Sequence, residues 1–430
     1  MSLPFMFYGL SGSMHIAYAD FIFPFLALVT FAAPATKRQL SALRPLAYFA
    51  LAMLTLVACS TLVASLFDPG FNAKLAVLNT IKLVVVFAYA VVFAVYAAIL
   101  TREQFLSLLR LWGWTATVVS IATVFTAVGL VQIVPFSSDG ARSQGFFQDP
   151  NLYGGYLTLS LCVIVAAEVM KTSYWSILQI LSVAAAVVLT ASRGSMITLG
   201  LVGVLALVFV ATWKVRIVVG GLGVASAALY AVGTGFSVPW LSPAIARLGE
   251  AGRSVGEDPR LRIWRRAVDI WSDQPVFGVG IGQFGRFTID VNGYDEHDVG
   301  QIAHNTFLSF LVESGILGLV LCVGGMAFLV FRLLLDRRIE GRLRYALGLG
   351  VFAICIGMFT LNFQNVRYMW VFIGLIWGFT VWQGKAVGYP RTPPTTRKHD
   401  VDAPYTVSPG ARHAAREHAG TQPIILHRDL

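Results

Sequence analysis

Three side chains in this sequence are of the types that hold charge and move protons, and each sits where an apolar run begins or ends. Arg193 stands alone in Thr190-Ala191-Ser192-Arg193-Gly194, between two hydrophobic stretches. A lone guanidinium in so tight a turn needs an anionic partner, from the protein or from a ligand. His304 precedes Asn305 at the head of another long apolar run. An interfacial histidine is one account of it. In the first turn of a helix, however, its imidazole would be held neutral by the positive helix end, the form a general base requires. Arg260 follows Asp258 and Pro259, a cap and a first-turn residue for a helix running to Asp273. At 100° per residue, Leu261, Trp264, Val268 and Trp271 share a face, widened by Ile263, Ala267 and Ile270. Arg262, Arg265, Arg266, Asp269 and Asp273 fall opposite, while Arg260 projects into the apolar sector beside free N–H groups. That is a place for an anion such as a diphosphate.

Other polar groups gather with these at the same ends of the runs. Asp149 and Asn151, in Gly145-Phe146-Phe147-Gln148-Asp149-Pro150-Asn151, either cap the next helix or face a ligand. Asn362, Gln364, Asn365 and Arg367 form a further turn. Arg262, Arg265 and Arg266 read as solvated surface arginines, with Arg262 in near register with Arg260 as a rival for its role. The Asp295-Glu296-His297-Asp298 cluster has metal-ligand types, yet clustered acids in an exposed loop are ordinarily just hydrated. Gly278, Gly280 and Gly282 imitate a nucleotide fingerprint without its strand and βαβ setting, so they are expected to shape a turn with a close backbone approach. The four cysteines all lie within apolar runs, which suggests no disulfide and no cysteine metal site.

Composition says what must position these residues. The 430 residues are 57% hydrophobic and only 13% charged, with a mean hydropathy of +0.71. Too little polar surface is available to cover a water-soluble globule, which excludes a soluble enzyme, a disordered chain and a secreted disulfide scaffold. The expectation is an all-α polytopic membrane protein of about eleven (ten to twelve) transmembrane helices. They are placed near 18–34, 46–66, 76–99, 112–134, 151–169, 174–190, 195–212, 214–232, 306–333, 343–361 and 364–382. The opening MSLPFMFYGL is too short to span and lacks a basic n-region, so it reads as an interfacial or re-entrant start.

Thirteen Lys and Arg residues fall in one set of short loops and five in the alternate set: Lys74, Lys82, Arg142, Arg193 and Arg367. The positive-inside rule puts the first set and the C-terminus in the cytoplasm, and the loop 233–303 outside. Residues 1–384 would form the membrane domain. Residues 385–430, rich in Pro, Thr, His and Arg, read as a disordered cytoplasmic tail resting on anionic lipid. The polar groups thus share the outer water–lipid boundary. A transporter or flippase would instead show broken helices or midplane charges.

GFFQDPN before a span, TASRG between spans, PRLRIW and QPVFGVGIGQF in one large loop, and AHNTFLSFLVESGILG after it come in a telling order. Together they resemble the O-antigen ligase and O-antigen polymerase family of bacterial glycan-assembly enzymes, over residues 145 to 320. The resemblance implies a metal-independent, inverting glycosyltransferase of the bacterial inner membrane, acting at its periplasmic face without a cofactor. Its donor would be a glycan on undecaprenyl diphosphate, its acceptor another glycan or a lipid A core. Membrane lipid, a chain-length regulator and a flippase would be partners, and nucleic acid would not. The family's arginines match Arg193 and Arg260, and its histidine matches His304. Asp149, Asn151, Arg262, Asn305 and Arg367 are candidates for substrate binding. A polymerase of surface polysaccharide or exopolysaccharide is favoured. The alternatives are a ligase to lipid A core or protein and, from a different class, a polysaccharide or solute transporter.

Overall fold

The computed structural model describes residues 18–37, 40–137, 142–210, scattered positions within 213–224, 259–288 and 302–386. These form helices α1 (Tyr18–Ala32), α2 (Pro34–Lys37), α3 (Leu40–Phe67), α4 (Ala73–Ile99), α5 (Arg102–Ala127) and α6 (Pro150–Met170). They continue with α7 (Trp175–Leu189), α8 (Arg193–Phe209), α9 (Pro259–Asp273), α10 (Thr306–Leu335), α11 (Gly341–Met358) and α12 (Arg367–Ala386). Extended pairing among the described residues is limited to one bridge, Phe136 with Ser143.

The expected count of about eleven membrane-crossing helices is overturned. Six helices among the described residues are long and apolar enough to cross a membrane: Leu43–Phe67 within α3, α4, α5, α6, α10 and α11. Helices α1, α7, α8 and α12 offer apolar stretches of only 10–17 residues. At 1.5 Å per residue, a 15-residue helix such as α7 reaches about 22 Å, short of a hydrocarbon core of about 30 Å. The expected span 174–190 included Tyr174 and Thr190, which flank α7 as its caps rather than extend it. The expected span 214–232 falls mostly outside the described residues, as do the opening MSLPFMFYGL, the acidic cluster 295–298 and the chain beyond Ala386.

Two helices organise the packing. Helix α6 is apolar all round and buried along most of its length, with α5, α7, α8 and α11 against it. Helix α12 packs most extensively on α4. There Gly374 and Gly378 lie against the Ala90 and Ala94 carbonyls so closely that a Cβ at either would collide with them. This spacing of small residues lets backbones approach where dispersion, rather than the hydrophobic effect, drives association.

Helix α10 is broken. Gly315 has φ +68° and ψ −169°, which opens the hydrogen-bond ladder two turns in. The freed groups pair with the loop after α9: Val279 N donates to Val312 O at 2.9 Å, and Gly280 N to Glu313 O at 3.0 Å. Ile316 N donates in turn to Pro275 O at 2.9 Å. Ser60 of α3 donates to Glu313 O at 2.7 Å and to Phe277 O. Gly278, Gly280 and Gly282, at φ +70°, +88° and +74°, make this docking sterically possible. The expected close backbone approach is therefore found, against α10 and the α3–α4 corner. A Cβ at Gly278 would strike the Val312 carbonyl, and one at Gly315 the Val276 carbonyl. Gly315→Ala is accordingly expected to cost about 3 kcal/mol or more, from left-handed strain plus overpacking. Thermal unfolding of the purified protein in detergent would measure it; an unchanged Tm would show that the break is not held.

Candidate functional site

The site begins at the α7–α8 turn. Thr190 Oγ1 donates to Val187 O at 2.7 Å and accepts the Ser192 N–H at 3.2 Å. Ala191 takes φ +47°, and Ser192 caps α8 by accepting the Ser195 N–H at 3.4 Å. Arg193 is therefore the first helical residue of α8. A cation there faces the positive end of the helix dipole, an arrangement that only an anion relieves.

Two more guanidinium groups come to the same place. Arg142 donates from Nε to Thr190 O at 3.1 Å and from Nη2 to Asn151 Oδ1 at 2.9 Å. Arg260 arrives from α9, whose Ile263, Ala267 and Ile270 are buried with Val279, Phe284, Ala303 and Val312 in a small core of their own. Trp264 Nε1 donates to Ala303 O at 2.8 Å, tying α9 to the segment that leads into α10. A polar cavity of about 40 Å³ is lined by Arg142, Asn151, Ala191, Ser192, Arg193, Gly194, Arg260 and Thr360. It has room for two or three waters. Its described lining contains three arginines, a helix N-terminus and no carboxylate. Such a lining fits an anion.

His304, at φ +46°, feels the charge of Arg260, which lines the cavity. Burial pushes its pKa below the ordinary imidazole value, the Arg260 charge lowers it further, and Asp149 opposes them. The neutral imidazole was expected, but for a different reason. Asn305, not His304, is the cap of α10, accepting the Leu308 N–H at 3.1 Å, so His304 precedes the helix. Among the described residues, Ala191 and His304 are the non-glycine positions with positive φ. Ala191 lines the arginine cavity, and His304 is within electrostatic reach of Arg260, which also lines it.

The remaining candidates separate. Asp149 caps α6, accepting the N–H groups of Asn151 at 2.6 Å and Leu152 at 3.3 Å, within electrostatic reach of His304. Asn151 lines the cavity and holds Arg142. Arg262 is exposed, with Arg265 and Arg266. Val268, expected on the buried face of α9, is exposed as well, because that face centres on Ile263, Ala267 and Ile270. Arg367 is not brought to the cavity. It forms a two-point pair with Asp20 at 2.7 and 2.5 Å, and Tyr89 Oη shares that carboxylate at 3.0 Å. Sequence reasoning missed Arg142, counted only as a topological charge, and Thr360. The available signal for Arg142 was its breach of the loop charge bias.

Residues 178–323 match a family model described as O-antigen ligase. Over this segment the chain is O-antigen ligase-like. The matched O-antigen ligase-like segment contains Arg193, Arg260 and His304 but leaves Arg142, Asp149, Asn151 and Thr360 outside. No curated protein matches the chain. Among solved structures, one described as "Structural coordination of polymerization and crosslinking by a peptidoglycan synthase complex" aligns at 17% identity and a TM-score of 0.41. It covers 79% of this chain and 97% of that one, a likeness too distant to bear on function. With its long apolar helices, the protein is a multi-pass membrane protein carrying an O-antigen ligase-like domain. Among the described residues, no group of three or more His, Cys, Asp or Glu side chains could hold a metal ion.

The two charges acting on His304 have opposite signs, which makes its state testable. If His304 is the base, activity falls on the acid side as the imidazole protonates. Arg260→Gln removes a charge that lowers the pKa, so that acid limb should move to higher pH. Asp149→Asn removes a charge that raises it, so the limb should move to lower pH. Measuring kcat against pH for both variants checks the pair; shifts in the same direction would refute it.

Proposed function

We propose that this chain transfers a glycan from a polyprenyl diphosphate carrier to an acceptor hydroxyl, at the outer face of the bacterial inner membrane. The observation that carries the proposal is the meeting of Arg142, Arg193 and Arg260 in one cavity at the N-terminus of α8, with His304 under the charge of Arg260. A diphosphate is the anion whose charge and multiple oxygens suit such a lining. A nucleotide sugar is not required, because the carrier itself supplies the activated glycan.

In the transfer, the acceptor oxygen attacks the anomeric carbon while the bond from that carbon to the diphosphate oxygen breaks. The electron pair leaves with the diphosphate, where the guanidinium groups and the α8 N–H groups stabilise the growing charge. The acceptor proton passes to the neutral imidazole of His304, and attack opposite the leaving group inverts the anomeric centre. Asp149 and Asn151 are assigned to the edge of the glycan path, beside the base and the anion cavity respectively. Residues 1–384 are taken as the catalytic membrane domain, with the C-terminal tail on the cytoplasmic side. The polymerase reaction, with a second lipid-linked repeat unit as acceptor, is preferred over ligation to a lipid A core.

Reconstitution in liposomes tests this. Protein supplied with an undecaprenyl diphosphate-linked repeat unit alone should produce a ladder of longer glycans. Product only after addition of lipid A core would make it a ligase. Labelled glycan crossing the bilayer without any transfer would replace the enzyme with a transporter. His304→Ala should lower kcat by about 100-fold or more at normal protein level, a typical loss for a general base. Arg193→Ala and Arg142→Gln should each cost about 10- to 1000-fold in kcat/KM, as for removed charge-stabilising donors. Full activity in the His304 variant would remove it as the base.

A further inference from the structure

Glu313 has no part in the chemistry proposed above, yet it is a buried carboxylate in the broken segment of α10. Its partners are neutral donors from two other parts of the chain. The carboxylate takes hydrogen bonds from the backbone N–H groups of Gly282 and Phe284 and from the side chain of Gln364. Gly282 and Phe284 belong to the loop that follows α9, and Gln364 to the α11–α12 turn, where Thr360 lines the arginine cavity. The Glu313 carbonyl is engaged too, by Gly280 N at 3.0 Å and Ser60 Oγ at 2.7 Å. One residue therefore joins the loop bearing α9, the helix preceded by His304 and the turn carrying Thr360.

The carboxyl group of Glu313 suits this position because its oxygens accept where donors converge. Two backbone N–H groups and an amide converge on it, and one of those N–H groups belongs to Gly282, which holds a positive φ. A buried polar group is costly unless such donors satisfy it, so the residue and the loop conformation depend on each other.

We propose that Glu313 is a positioning residue for the site, which fixes the docked loop 275–288 and thereby sets Arg260 of α9 against Arg193 and His304. The proposal rests on the roles assigned to Arg260 and His304 above, while its first test does not.

Glu313→Gln keeps the volume of the side chain and replaces one carboxyl oxygen with an NH2 group. In detergent-purified protein, amide hydrogen exchange across residues 276–288 should accelerate about tenfold or more, the loss expected for a broken buried hydrogen bond. Exchange in α4 and α6 should stay at the wild-type rate. In the transfer assay, the acid limb of kcat should move to higher pH, because Arg260 no longer holds its charge against His304. Val95→Ala, which removes methyl groups from the buried face of α4, serves as the control. It should destabilise the protein without accelerating the loop selectively or moving the limb.

Unchanged exchange in the loop of Glu313→Gln would overturn the proposal, as would uniform acceleration throughout the protein. A limb that moves equally in Val95→Ala would overturn it too. Should Glu313→Gln fail to accumulate, Glu313→Asp decides by the same measurements. It retains two acceptor oxygens one methylene further back, and intermediate values in both readouts are expected. If the wild-type protein shows no transfer at all, the glycosyltransferase assignment falls, and loop exchange alone judges Glu313.

Discussion

In a membrane protein, a peptide group released from its helix must find another partner inside the protein. Helix α10 is opened at Gly315, and how its groups are repaired determines the position of everything nearby. The repair is made by backbone, with residues 275–280 running beside 312–316 and exchanging three N–H···O bonds of 2.9 to 3.0 Å. Because the partner is a loop rather than a ligand or a column of water, the break is filled. A broken helix is a mark of transporters when it lines a conduit. Here it is an anchorage. The docked loop carries α9, α9 carries Arg260, and Trp264 ties the same helix to the residue before His304.

The second constraint is charge. Arginine at the first position of a helix is electrostatically unfavourable, and two further guanidinium groups beside it compound the problem. Fixed hydrogen bonds from Arg142 to the Thr190 carbonyl and to Asn151 orient that side chain. The contrast with Arg367 is instructive. That arginine meets the Asp20 carboxylate at two points and has Tyr89 on the same acid, so its charge is answered within the protein. One arginine at the helix ends serves to hold α1 to α12. The others surround a small cavity whose described lining offers them no acid.

How much of this could be read from the sequence depended on whether a signal was local. Helix α9 was legible to the residue, Pro259 to Asp273, because its amphipathic pattern is strong and its start is marked by Asp258 and Pro259. Its buried face was placed less well: Val268 proved exposed because the α9 core is shared with Val279, Phe284 and Val312, which only the folded loop supplies. The number of spanning helices was overcounted, since hydropathy alone does not show where a helix stops, and α1, α7, α8 and α12 keep apolar stretches of only 10–17 residues. Gly278, Gly280 and Gly282 announced a close approach, but not the α10 break they fit. Glu313 stood out in the sequence only as the one acid in the apolar run 306–333. Its setting is made of long-range backbone donors, from Gly282 and Phe284, that no spacing along the chain reveals.

The misreading of Arg142 has a physical lesson. Positive charge is selected against on the translocated side of short loops, so each cation found there bears a cost that some interaction must offset. Five such residues were expected on that side. Arg367 is answered by a carboxylate, whereas Arg142 and Arg193 lie together at a cavity shared with Arg260. The strained backbone falls at the same place: Ala191, in the turn before Arg193, and His304, under the charge of Arg260, hold positive φ without being glycine. Left-handed strain in two residues, on separate segments, persists only where the surroundings impose it. Here the surroundings are the docked loop on one side and the capped start of α8 on the other. Charge placed against the bias and backbone placed against its preference thus mark one region independently. A site that binds an anion and removes a proton would need both, since the guanidinium groups must be held before the anion arrives and the imidazole must be held neutral beside them.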